Sequence, residues 1–524
     1  MTYQTERDKL SRHSLNIVEL DVDTTISEGG TEYLCDGHVP HGQNFWPCVQ
    51  SIQWIPTRAA KHGGLGYLGD VVINCVDFPW PNGVGSYFGR LIGSNPYYLN
   101  RILKIHVGFL KDGDTFDFAN FKERRYLIKK IVGPDQNHKV RIEASDILSQ
   151  LKESELPVAT NGNLASSITS TTGGVVNIGD NTEFSSGGYA IIDDEIVSFG
   201  SKSGSDSLDI TARGLAGTEA TDHDADAPVR EVIRYSGNIV DTIRAIIEFK
   251  TNIDASYIPD SEWDTERDTY LASDNVEVWL TEPESVDKII DKLGKETMVN
   301  VWWDDEAQEI KLKAIGPSLS SNVAWNDDEH ILNTRVTIKR DQRDIITAAW
   351  VYFEKINQAE DDKAENFKNT YIQVDTAAES GLGDSKVKKI YAGDVTASAT
   401  ASKVANRIIS QSSNPIELTI QVDAKDSDLL VGDVVDITTD LIQGANGIPE
   451  TIKMRVIERA QASDNRYTYK LVFSGVELGS RYAVIAPNSI LSYTSESEAN
   501  RDKYGFICDT DNEMSNGDDP YLIL

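Results

Sequence analysis

The chain has 524 residues, 40% of them hydrophobic, and sets 50 Lys and Arg against 83 Asp and Glu for a formal net charge of −33. That length predicts three to five domains rather than one core, and the acidity argues against a sequence-specific nucleic-acid binder, which needs a basic face for phosphates. It fits plain solubility, or an acidic conduit that DNA passes without sticking. With no run of about eighteen apolar residues and no charged-then-apolar leader at Met1, neither a membrane span nor a secretion signal is expected. The four cysteines make no disulfide framework and fit a reducing cytoplasm.

The first predicted strand runs through Leu15, Ile17, Val18 and Leu20, before the turn Glu28-Gly29-Gly30. Val71, Val72, Ile73 and Val76 form a second, and Ile105, Val107 and Phe109 alternate in a third. The turn at Asp112 leads to RRYLIKKIV, and HKVRIEASDIL (His138 to Leu148) completes a unit over residues 1–150. A polar stretch, LKESELPVATNGNLASSITSTTGG, then reads as a linker or long loop. Short strands at Ile191-Ile192, Glu195 to Val197 and Leu208 to Ile210 follow, within residues 151–235.

Ile239, Ile243, Ile246 and Ile247 line one helical face behind Ser236 as its expected cap. Ile258 and Trp263 are anchors after it. A second helix carries Val286, Ile289, Ile290 and Leu293, opened by Glu282, Pro283 and Ser285 and closed by Gly294. Val299, Val301 and Trp303 alternate with Asn300 and Trp302, the acidic corner Asp304-Asp305-Glu306 turns, and Ile310, Leu312 and Ala314 return. Residues 236–330 are thus a helix–hairpin α/β domain. From 331 to 482 strands dominate again (VTI, AAWVYF, PIELTIQVD, VVDITTD, MRVIERAQAS, NRYTYKLVF), interrupted by a charged excursion at 355–395 and a short helix through Val404, Ile408 and Ile409. The excursion reads as a solvated loop or protruding hairpin. Residues 483–524 are an irregular extension whose apolar end, Tyr521, Leu522, Ile523 and Leu524, is expected to dock on a neighbour. The fold class is mainly β with α/β insertions.

Four segments carry a resemblance. The helix followed by the WWD hairpin ending in K-A-I-x-P looks like the central segment of tail hub (baseplate hub, tail tip) proteins of long-tailed bacteriophages. The strand, Gly-Asp turn, strand and V-R-I-E-A-S-D order is similar to that of their first barrel. The strands of 331–482 resemble the second. ITARGLAGTEATDHDADAPV, with Arg213, Gly214, Gly217, Thr218 and His223 at matching positions, resembles a small β module of phage tail and fibre proteins. The resemblance implies two tail-tube-like β-barrel domains per chain and a homotrimer whose six barrels join a six-fold tube to a three-fold tip. It implies a distal tail protein above, tape-measure protein in the lumen, tip fibre or spike proteins outside, and genomic DNA only in transit. It also implies a virion component assembled in the host cytoplasm, without a membrane anchor and without catalysis. A tail-associated cell-wall-degrading enzyme and a receptor-binding tip protein are the alternatives.

Candidate chemistry is sparse. GLGYLG at Gly64 to Gly69 matches G-x-G-x-x-G, but a strand follows where a dinucleotide site needs a helix. Cys35, His38, His41 and Cys48, with Cys75 as a further donor, are residue types that zinc or an iron–sulfur cluster accepts. Their spacing matches no zinc module, and a loop with incidental polar residues is the favoured reading. The acidic runs, including Asp222, Asp224 and Asp226, lack the turn glycine of an EF-hand. There is no P-loop, H-E-x-x-H or G-x-S-x-G.

Overall fold

The computed structural model of the chain describes residues 3–9, 13–21, 32–39, 45–67, 69–80, 83–111, 116–169, 171, 173–316, 321–332, 336–412, 415–444, 446–463 and 465–474, with 482–485, 495, 497, 504–505 and 522–523 near the C-terminus. It is a mixed β/α protein in which strands dominate.

The first sheet has eight strands in the spatial order Phe45–Pro47, Tyr33–Cys35, His13–Leu20, Ile102–Leu110, Phe121–Val132, Lys139–Ser145, Asp70–Val76 and Val49–Gln53. Period-two alternation puts Val71, Ile73 and Cys75 against Ile105, Tyr126, Ile128 and Ile142 in one core, while Leu15, Ile17, Cys35 and Leu110 pack on the other side. Among the described residues no pairing joins the two outer strands, so the ladder is open and not the closed barrel expected. Those outer strands are nevertheless consecutive in sequence, with Cys48 alone between them.

A second sheet orders Val323–Asn326, Val434–Gln443, Pro449–Ser463, Arg466–Phe473, Ile416–Asp423 and Thr337–Arg340, and Thr57–Arg58 also pairs with Pro449–Ser463. It too is open. The two sheets share a topology. Take His13–Leu20, Val49–Gln53, Asp70–Val76, Ile102–Leu110, Phe121–Val132 and Lys139–Ser145 as first to sixth in the one, and the six strands from Val323–Asn326 to Arg466–Phe473, in chain order, as first to sixth in the other. Both then run first, fourth, fifth, sixth, third, second. Only the pairing of first with fourth differs, antiparallel in one sheet and parallel in the other.

Three smaller parts accompany them, two between the sheets in sequence and one inserted within the second sheet. The small module is a seven-stranded sheet: six strands between Gly162–Asn163 and Pro228–Asn238 in the chain, and Asn275–Leu280 as the seventh, paired with Pro228–Asn238. Part of the expected linker belongs to it: Leu164 and Ile168 are buried in its core, because a few widely spaced apolar residues suffice to pin a polar loop. In the helix–hairpin part, helices Ile239–Lys250 and Val286–Thr297 pack on Val299–Asp304 and Glu309–Ala314 around Trp263 and Trp303. Asn238, not Ser236, caps the first helix, accepting from Val240 N. The second helix runs past Gly294 to end at Met298, which is left-handed at φ 57°. The third part is a three-stranded sheet, Phe367–Val374, Ala348–Lys355 and Val387–Ala392, backed by helix Ser398–Ser412. AAWVYF therefore sits here and not in the second sheet, and the charged excursion contains two strands and the helix Thr376–Leu382.

Residues Pro317–Leu319 and Gly475–Leu524 form a separate unit, in which Tyr482–Ile485 pairs in parallel with Tyr504–Gly505 and with Leu522–Ile523. No described helix is long and apolar enough to cross a membrane.

Candidate functional site

Three parts of the chain meet at the acidic corner of the central hairpin. Strand Phe121–Val132 of the first sheet presents Lys122, Arg124 and Tyr126 on one face. Lys122 Nζ lies 2.8 Å and Arg124 Nη2 3.0 Å from Glu306, Arg124 Nη1 lies 3.3 Å from Asp305, and the Tyr126 hydroxyl donates to Asp305 at 2.7 Å. From the second sheet, Arg459 Nη1 reaches Glu306 Oε1 at 2.7 Å. Rings cover the cations: Trp54 lies 4.8 Å from Arg124, Tyr3 4.9 Å from Lys122, and Tyr467 4.5 Å from Arg459.

Burial opposes ionisation of Glu306, yet Arg459, Arg124 and Lys122 outweigh it and hold the carboxyl well below its usual range. Burial likewise works against both guanidiniums, and the facing carboxylates keep them charged. Removing one member would strand the others in a low-dielectric interior, so the cluster fixes the two sheets and the hairpin as one body. Sequence reading saw only a turn here. The partners are more than a hundred residues away in the chain, and no local pattern announces them.

The same hairpin domain is tied to the three-stranded sheet. Lys292 Nζ sits 3.1 Å from Asp394, 3.6 Å from Glu296 and 3.7 Å from Asp362, and Asp394 N donates to Glu296 Oε2 at 2.9 Å. Burial, reinforced by the charge of Asp394, pushes the Glu296 carboxyl up to about 8. The glycine run is packing, not phosphate binding. A Cβ on Gly294 would lie 2.6 Å from Gly64 Cα, and Gly64–Leu65 pairs with Val299–Asp304.

In the small module, Glu195 explains the matched motif. Its carboxylate takes Arg213 Nε at 2.9 Å and Nη2 at 2.6 Å, backbone N–H groups of Gly214 (2.9 Å) and Thr221 (3.0 Å), and His223 Nε2 at 2.8 Å. Burial opposes its charge, but Arg213 and these donors hold it below the usual range. His223 Nδ1 meets Asp193 at 2.7 Å. The group braces a tight loop and leaves Glu195 no proton to give. Beside it, a cleft of about 540 Å³ is lined by Asp193, Asp194, Glu219, Asp222, Glu360 and Glu365 among others.

The expected metal donors are distributed as follows. Cys35 is buried with Leu15 and Ile17, whereas Cys48 and Cys75 are buried in the other core of the first sheet. Burial pushes the Cys35 thiol up to about 12, and contact with Cys75 together with burial raises Cys48. His38 is exposed, and His41 lies outside the described residues. Among the described residues no group of three His, Cys, Asp or Glu is placed to hold a metal ion. Of the apolar terminus, Leu522 and Ile523 form the strand noted above, and Tyr521 and Leu524 lie outside the described residues.

No protein-family model matches the sequence, and no curated protein matches it. Among solved structures, the chain is similar to a tail protein from Neisseria meningitidis MC58 (9% identity, 88% of this chain and 98% of that one covered, TM-score 0.40). It is similar to the 43 kDa tail protein of prophage MuSo2 from Shewanella oneidensis (8% identity, 89% and 99% covered, TM-score 0.39). The prophage tail protein gp18 from Listeria monocytogenes EGD-e gives 9% identity, 87% and 94% coverage, and a TM-score of 0.37.

Proposed function

We propose that the chain is a structural, non-catalytic hub at the tip of a long-tailed phage tail. The observation that carries this reading is the repeated strand order of two sheets in one chain, bolted together through Glu306. Two like β-units per chain are what a threefold assembly needs to present six to a tube: three copies make a ring of six. In this reading the domains are 1–150 and 331–482 for the tube-like units, the second taking its first strand, Val323–Asn326, from the segment before it, 151–235 and the rest of 236–330 for the decorations, and 483–524 for an extension whose Tyr521 to Leu524 contacts a neighbour.

The partners are a distal tail protein, the tape-measure protein and fibre or spike proteins. DNA and tape measure leave through a lumen whose carboxylates repel phosphate. The test is the mass of the full chain by light scattering, alone and with its neighbouring tail protein. A trimer in either condition supports the ring, and a monomer in both overturns it. Clearing of peptidoglycan in a zymogram by this chain alone would instead favour a wall-cleaving enzyme acting in the carboxylate-lined cleft.

A further inference from the structure

Arg455, on strand Pro449–Ser463, is only 7% exposed and, among the described residues, makes a single hydrogen bond, from Nη2 to the Lys61 carbonyl at 3.4 Å. Its Nε is buried without a partner among the described residues. Guanidinium carries five N–H donors in a planar fork and stays charged, so a buried one ordinarily has a carboxylate opposite it. In a chain with 83 acidic residues, none of those described is placed on Arg455. Glu417, on the same face two strands away, is engaged by Lys61 at 2.7 Å and Lys470 at 3.4 Å.

The surroundings are also short of acceptors. The loop carrying Lys61 brings the exposed His62 ring to Gln411, with Nδ1 3.3 Å from Oε1, and the Gln411 Nε2 is itself buried without a partner among the described residues. The positive charges of Lys61, Lys388 and Arg455 all bear on His62. The unspent donors are thus Arg455 Nε on the second sheet and Gln411 Nε2 at the end of helix Ser398–Ser412, each in contact with the 59–63 loop.

We propose that Arg455 and Gln411 form a receptor for an oxyanion, a phosphate or carboxylate group that enters beside His62. This does not rest on the hub reading. A bidentate oxyanion would satisfy the fork and neutralise the buried charge. A free phosphate and a carboxylate of a second copy share that chemistry.

The test compares the full chain in inorganic phosphate and in chloride at equal ionic strength and pH, by thermal melting and titration calorimetry. The wild type should melt higher in phosphate. Arg455→Met, which removes a charge without stranding a partner, should fold and lose at least about tenfold in phosphate affinity, with Gln411→Ala weakening it less. If the resident oxyanion is a carboxylate of another copy, phosphate should lower the assembly mass seen by light scattering, and Arg455→Met should fail to assemble. A phosphate response retained by Arg455→Met overturns the proposal. So does a wild type whose melting ignores phosphate and whose assembly ignores both phosphate and the substitution.

Discussion

Trp302 and Trp303 are adjacent in the chain and lie in different cores. Trp303 packs with the helices of the hairpin domain, edge-on to Tyr257 at 5.2 Å, whereas Trp302 packs with Trp325, Leu418 and Met454 of the second sheet. A strand sends successive side chains to opposite faces, so one hairpin serves as the wall between two interiors. Either Trp→Ala change should cost about 3–5 kcal/mol. Hydrogen exchange should separate them: Trp302→Ala deprotects Ile416–Asp423 first, and Trp303→Ala deprotects Ile239–Lys250 first. Identical exchange patterns would mean that the two cores are not distinct.

Glu306 bridges both sheets, so Glu306→Gln should destabilise by about 3–5 kcal/mol in denaturant unfolding, the scale for breaking a buried ion pair from one side. A double-mutant cycle with Arg459→Met should show coupling well above about 0.5 kcal/mol. Additive losses would show that the contact does not join the sheets energetically.

Glu296 gives a pH signature. Its carboxyl ordinarily titrates at 4.5 and is held up to about 8 in the fold, so across that window the folded chain binds more protons than the unfolded one. Stability from this group is therefore full below the unfolded value and lost as pH rises through about 8. Glu296→Gln, a neutral mimic of the protonated acid, should flatten the decline in melting temperature over that window. An unchanged slope would assign the pH dependence elsewhere.

At Gly294, two effects oppose each other. Alanine in a helix interior gains about 1 kcal/mol over glycine, but its Cβ would fall 2.6 Å from Gly64 Cα and equally close to the Val299 carbonyl. Backbone cannot step aside as a side-chain tip can, so Gly294→Ala should destabilise on balance by about 1–3 kcal/mol. A stabilised variant would mean that the loop at Gly63 and Gly64 gives way.

Much of this was legible beforehand because it is local. The alternation of Val299, Val301 and Trp303 announced a hairpin, and Ile239 to Ile247 announced a helix. Caps slipped by two to four residues, since Asn238 competes with Ser236 and Met298 takes a left-handed turn that glycine usually supplies. The charge cluster stayed hidden because nothing near Glu306 in sequence names Arg124 or Arg459. The placement of AAWVYF was missed for a similar reason. A strand of alternating apolar residues fits any sheet, and its partners at Phe367–Val374 lay in a stretch whose charges disguised the period.

Cys48 gives the first sheet an unusual response to load. Its outer strands share no hydrogen bonds among the described residues, but a single residue links them end to end. An open sheet pushed outward from inside would unzip along its free margin. Here the margin is stitched by peptide bonds, so hoop tension at that end runs through covalent backbone while the far end stays free to flare. A protease cut between Pro47 and Val49 would remove the stitch and leave every ladder intact.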